Sequence, residues 1–91
     1  MSAYLLGIDI GTSACKVALF LEDGRVAAQD TREYAVYYPQ PGWAEQDPMD
    51  WWQAVCTATR QVLSESGIQP GDIAGIGIDG QSWSAIAVDG Q

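Results

Sequence analysis

The sequence predicts an α/β domain built from a three-stranded antiparallel meander, one long helix and a further strand parallel to the first. Three observations carry this expectation. Two short apolar runs, Tyr4 to Ile10 and Ala14 to Leu21, are followed by an Asp23-Gly24 pair that signals a hairpin. Between Asp47 and Gly67 lies a capped amphipathic stretch of helical period. After it comes a third apolar run, Ile73 to Ile78, where a right-handed crossover over a sheet face delivers a parallel strand.

Taken in order, Tyr4 to Ile10 (YLLGIDI) is bounded by Gly11 and Thr12, which predicts a strand buried on both faces. Ala14 to Leu21 (ACKVALFL) forms the second strand and Val26 to Tyr34 the third. Asp23-Gly24 between them predicts a type I′ turn, which needs φ > 0 at both central residues. Pro39 to Gln46 is rich in Pro and Gly and reads as an ordered loop. Asp47 is a suitable N-cap, Pro48 suits a first helical position that needs no N–H, and Asp50 adds a carboxylate at the positive end of the dipole. The helix is predicted from about Pro48 to Ser66, with Gly67 as its C′ residue. Trp51, Val55, Ala58 and Val62, with Trp52, Cys56, Thr59 and Leu63 beside them, form one broad packing stripe. That spacing reads Trp51 and Trp52 as core, and leaves Trp43 open between core and sugar stacking. A turn over Gln69 to Asp72 leads into Ile73 to Ile78, and Ser84 to Val88 gives one more short strand.

With 91 residues the chain supports one small domain with a modest core. Its net charge of −8 and the lack of any Lys/Arg cluster argue against nucleic acid or an anionic membrane as partner. A nucleotide is still acceptable, because oriented backbone N–H groups, one Lys and a cation can hold its phosphates. The absence of His removes His-based triads and His-ligated metals. Cys15 and Cys56 form no CxxC pair and read as buried thiols in a reduced compartment. The start of the chain lacks a basic n-region and meets Asp9 early, so neither a signal peptide nor a spanning helix is expected, and the cytoplasm is the expected compartment.

The informative motif is Gly7-Ile8-Asp9-Ile10-Gly11-Thr12-Ser13, a strand that delivers one carboxylate and then turns on a Gly followed by two hydroxyl residues. Gly11 allows close backbone approach to a phosphate, Thr12 and Ser13 offer hydroxyl and N–H donors, and Asp9 can hold Mg²⁺ or its water shell. Lys16 can reach the same phosphates as a point charge. The plain alternative is a strand and turn with a surface Asp. There is no GxxxxGK[ST], and the glycine spacing is not that of a dinucleotide fingerprint. Asp79 is expected near Asp9 and in the same metal site, because a parallel strand brings both to carboxyl ends, where open α/β sheets bind ligands. The other reading makes Asp79 a turn acceptor for Gly80 and Gln81.

GIDIGTSACKVALFLEDGRV resembles the first phosphate hairpin of the superfamily that unites actin, sugar kinases and heat-shock chaperone ATPases, whose domains have an RNase H-like core. Gly42-Trp43-Ala44-Glu45-Gln46-Asp47-Pro48, then Trp51-Trp52, then Ile76-Gly77-Ile78-Asp79-Gly80-Gln81 are similar to the xylulokinase branch of the FGGY carbohydrate kinases. The resemblance implies that residues 1–91 are the amino-terminal part of the first kinase domain, with the second lobe outside them. It implies ATP and Mg²⁺ as cofactors, with Asp9, Gly11, Thr12, Ser13 and Lys16 at the phosphates and Gln81, Ser82 and Trp83 facing the sugar. Ser82-Trp83 departs from the Met-His typical of xylulokinases, which leaves xylulose, a related sugar and a polyol all open; Trp83 also admits a core role. The resemblance places the catalytic carboxylate base downstream, so the 91-residue chain alone is expected to be inactive and, with sheet edges uncovered, to self-associate. A non-catalytic nucleotide-binding module and an RNase H-like nuclease are the other classes, the latter opposed by the acidic balance.

Overall fold

A computed structural model of the chain describes residues 3–80. The four strands are β1 (Tyr4–Ile10), β2 (Ala14–Leu21), β3 (Val26–Glu33) and β4 (Ile73–Asp79), with one helix, α1 (Pro48–Ser66), between β3 and β4. They form a single mixed sheet in the order β3-β2-β1-β4. β1 pairs antiparallel with β2 and parallel with β4, and β2 pairs antiparallel with β3. The meander, the crossover helix and the parallel return strand expected from sequence are all present. Ser84 to Val88 lies outside the described residues.

The turn between β2 and β3 differs in kind from the one expected. Gly24 N–H donates to Leu21 O at 2.9 Å and Leu21 N–H to Arg25 O at 2.8 Å, enclosing Glu22, Asp23 and Gly24. With Gly24 at φ 90°, this is a three-residue loop closing on a left-handed glycine, rather than a two-residue type I′ turn. Asp23 adds a local clamp, accepting from Arg25 N–H at 3.0 Å and from its Nε at 2.7 Å. A register shift opposite Leu19 and Phe20 then skips Ala27.

Helix α1 begins and ends as its sequence dictates. The Asp47 carboxylate accepts from Met49 N–H at 2.9 Å, and Gly67, at φ 73°, donates its N–H to Leu63 O at 3.0 Å. The helix packs on β2 and β3. The core joins Leu6, Ile8, Cys15, Val17 and Leu19 of the sheet to Ala54, Ala58 and Val62 of α1. The buried stripe is thus centred on two alanines, which let the helix approach the sheet closely. This shifts the contact from the expected one: Trp51 is half-buried, and Trp52 is 61% exposed. Trp52 lies two positions, roughly 200° around the helix, from Ala54, so one face cannot bury both. Cys15 is buried as expected, whereas Cys56 is only partly covered.

β1 is not buried on both faces. Leu6 and Ile8 point to α1, while Leu5 is 52% exposed and Asp9 is exposed. Among the described residues the helix covers one side of the sheet only. The other side is open, and on it lie the polar residues of the site.

Candidate functional site

Strand register builds the site. Asp9 is paired with Lys16 on β2 and with Asp79 on β4, and Lys16 with Thr31 on β3. Paired residues on neighbouring strands project to the same face. One row across the open face therefore reads Asp79, Asp9, Lys16, Thr31. The next row toward the start of β1 reads Gly77, Gly7, Ala18, Gln29. Small residues below a charged row leave room above the sheet, and a groove of about 570 Å³ runs over Gly7, Asp9, Lys16, Phe20, Gly77 and Asp79. A Cβ at Gly7 would meet the Phe20 ring at 3.0 Å, so a larger residue there would have to displace that ring. Gly77 has open space above it.

The sheet brings Asp9, Lys16 and Asp79 together, and Asp79 stands beside Asp9 as the parallel return of β4 leads one to expect. Both carboxylates sit at the carboxyl ends of parallel strands. Lys16 makes no ion pair within 4 Å among the described residues, so its ammonium is free to face an anion. Asp79 also accepts from Gly80 N–H at 2.9 Å, whereas Gln81, whose N–H an Asx turn at Asp79 would use, lies outside the described residues. The local contact to Gly80 and the register beside Asp9 thus occur together at Asp79. Gln81, Ser82 and Trp83 lie outside the described residues.

Gly11, Thr12 and Ser13 form the turn that joins β1 to β2. Gly11 N–H closes it on Ala14 O at 2.9 Å, and a Cβ at Gly11 would press on that same oxygen at 3.1 Å. Thr12 and Ser13 are exposed at its tip. The turn is held from behind by two residues that sequence reasoning did not single out. Tyr34, just past β3, donates its hydroxyl to Gly11 O and to Ala14 O, the latter at 2.9 Å, and its N–H to Ser13 O at 3.0 Å. Gln46, just before the N-cap of α1, donates from Nε2 to Thr12 O. These contacts span 23 and 34 residues of chain, which no local pattern reveals.

The loop carrying Gln46 is itself fixed. Tyr37 and Glu45 exchange backbone hydrogen bonds at 2.6 and 2.7 Å, and the Tyr37 hydroxyl donates to Asp50 at 2.7 Å. That bond to Asp50 pushes the Tyr37 phenol above its ordinary value. Burial raises the Tyr34 phenol, with Cys15 and Asp9 adding to it. Burial likewise raises the Cys15 thiol, helped by Asp30 and Asp9, so Cys15 stays a protonated core residue. No group of three or more His, Cys, Asp or Glu able to hold a metal occurs among the described residues. Asp9 and Asp79 are nonetheless hard oxygen donors, the ligand type Mg²⁺ prefers when phosphates and water complete its shell.

An α/β sheet with a glycine turn between antiparallel strands, a carboxylate at the end of β1 and a crossover helix matches the N-terminal domains of sugar kinases of the actin-like ATPase fold. The chain belongs to the FGGY family of carbohydrate kinases: residues 4–91 match the model of that family's N-terminal domain. It is 44% identical over 83 residues to a glycerol kinase from Paracidovorax citrulli, a match covering 91% of this chain and 16% of that protein. The fold is similar to that of a xylulose kinase from Brucella ovis, with a TM-score of 0.80, 37% identity, and 86% of this chain and 16% of that one covered. A gluconate kinase from Lactobacillus acidophilus gives a TM-score of 0.79 at 30% identity, over 89% of this chain and 16% of that one. The chain therefore spans about one sixth of the length of the relatives it matches.

Proposed function

We propose that this chain supplies the phosphate-binding part of a kinase that transfers the γ-phosphoryl group of ATP to a hydroxyl of a small sugar or polyol. The observation that carries the reading is the row Asp79, Asp9, Lys16 on the open face, ending beside the Gly11-Thr12-Ser13 turn. In it, Thr12 and Ser13 donate to phosphate oxygens, Gly11 lets the backbone come close, and Lys16 offsets phosphate charge. Asp9 and Asp79 are the carboxylates that would hold Mg²⁺. The ion, when bound, supplies neutralisation of phosphate charge as it builds in transfer. The acceptor oxygen forms its bond to phosphorus as the bond from phosphorus to the leaving ADP oxygen breaks, and the hydroxyl proton passes to a carboxylate base outside this chain. Because these 91 residues hold no such base in the reading, the isolated chain is silent in turnover.

For the acceptor, two specific observations support different sugars. The likeness of the GWAEQDP segment to the xylulokinase branch supports a ketopentose such as xylulose, while 44% identity to a glycerol kinase supports a three-carbon polyol. Gln81, Ser82 and Trp83 are the residues assigned to that acceptor. With ATP as co-substrate, the setting proposed is cytoplasmic. The test is ADP release by the complete protein with glycerol, xylulose and gluconate. Turnover with one of them supports the reading and names the sugar, whereas ATP binding without ADP release on a broad sugar panel would leave a nucleotide-binding module instead.

A further inference from the structure

Every backbone carbonyl of the turn 11–14 accepts a hydrogen bond from within the protein. Gly11 O and Ala14 O share the Tyr34 hydroxyl, Ser13 O takes the Tyr34 N–H, and Thr12 O takes the Gln46 side-chain amide. The chemistry of the turn makes this arrangement informative. Carbonyl oxygens carry partial negative charge and repel a phosphate, while backbone N–H groups attract it. A turn that can rotate its peptide planes presents either. One whose carbonyls are drawn back presents its remaining N–H groups, here those of Thr12 and Ser13, since Gly11 N–H is taken by Ala14 O.

We propose that Tyr34 and Gln46 are positioning residues for the nucleotide, holding the carbonyls of the β1–β2 turn away from the phosphates so that the N–H groups of Thr12 and Ser13 face them. The inference rests on the phosphate-binding reading of that turn and deepens it. Satisfaction of polar groups does not account for the Gln46 contact, because Thr12 is exposed and water can serve its carbonyl equally well. What the Gln46 side chain adds is direction. It also ties the turn to the start of α1, since Gln46 immediately precedes the Asp47 cap. Tyr34 is suited to a permanent donor role: burial keeps its hydroxyl protonated, and a tyrosine holds its donor at the end of a rigid ring.

Two variants of the complete protein test the proposal, with Mg-ADP affinity and the KM values for ATP and for the sugar as readouts. Tyr34→Phe removes the hydroxyl and keeps the ring. Gln46→Glu is isosteric but replaces the donor with a charged acceptor facing Thr12 O. Each is expected to raise the ATP KM and the Mg-ADP Kd about three- to tenfold, the worth of one net hydrogen bond, while the sugar KM stays within about twofold. Gln46→Ala, which frees the carbonyl without pushing it, should fall between wild type and Gln46→Glu. Unchanged nucleotide affinity in both main variants, or an equal rise in the sugar KM, overturns the inference. If Tyr34→Phe does not fold, Gln46→Glu on its surface loop decides alone. Wild-type protein that binds no nucleotide would overturn the phosphate reading and this inference together; wild-type binding with unaffected variants overturns only the inference.

Discussion

The two faces of the sheet are made by the same strands and do opposite work. Toward α1, β1 and β2 present Leu6, Ile8, Cys15, Val17 and Leu19, all buried against Ala54, Ala58 and Val62. Toward the open side the alternate residues are Gly7, Asp9, Lys16 and Ala18, with Gly77 and Asp79 continuing the rows on β4. The pleat thus assigns the core to one set of residues and, in the function proposed, chemistry to the next, one residue apart along the chain. A register slip of one residue would exchange them, burying Asp9 and exposing Ile8. The buried apolar face is what fixes the register on which the charged row depends.

That division can be broken from either side. Asp9→Asn is expected to lower turnover of the complete protein about a hundred- to a thousandfold, the scale of losing one electrostatic contact to the reacting group, with little change in the denaturation midpoint. Leu19→Ala, at a fully buried position, should cost about 2–5 kcal/mol of stability by urea or thermal unfolding while leaving nucleotide affinity per folded molecule as it was. The separation of the faces fails if Leu19→Ala weakens nucleotide binding without destabilising, or if Asp9→Asn unfolds the protein.

β4 sharpens the comparison, because it lies beyond the cover of α1. Ile76 and Ile78 pair with Leu6 and Ile8 and so share the helix-side face, yet they are 61% and 70% exposed. Exposed branched residues on a sheet face are an association surface. The 91-residue chain on its own is expected to self-associate at concentrations on the order of tens of micromolar, and Ile78→Lys to shift it toward monomer. Light scattering showing a compact wild-type monomer at such concentrations would count against this surface being sticky.

Much of this architecture was legible in the sequence, and for physical reasons. The caps of α1 are local: Asp47, Pro48 and Gly67 act within a turn of where they stand. The pairing of Asp9 with Asp79 followed from a topological rule, the parallel return of a strand after a helical crossover. What stayed hidden was either a matter of fine geometry or of distance along the chain. Asp23-Gly24 announced a hairpin but not its loop length, which depends on how Arg25 pairs with Leu21. The helix period identified a stripe without its centre, so Trp52 was read as core although Ala54 and Ala58 took that place. Tyr34 and Gln46 carried no local signal of their hold on the turn, since their partners lie where only the folded sheet brings them near.

The smallest effect expected concerns Asp79, whose side chain both accepts from Gly80 N–H at 2.9 Å and stands in register beside Asp9. Substitution separates the two roles, because Asp79→Asn keeps an oxygen for the Gly80 N–H and removes only the charge. Two carboxylates on one face repel unless a cation lies between them, so a shared site makes Asp79 part of the Mg²⁺ requirement. On that reading the Mg²⁺ concentration for half-maximal activity of the complete protein rises about five- to tenfold in Asp79→Asn, as loss of one charge near a divalent ion implies, with less effect on turnover at saturating Mg²⁺ than Asp9→Asn has. Asp79→Ala should add a stability loss of about 1 kcal/mol by removing the acceptor as well. A Mg²⁺ response in Asp79→Asn that matches wild type, together with a stability loss confined to Asp79→Ala, would leave Asp79 a turn residue and Asp9 the one carboxylate of this pair at the metal.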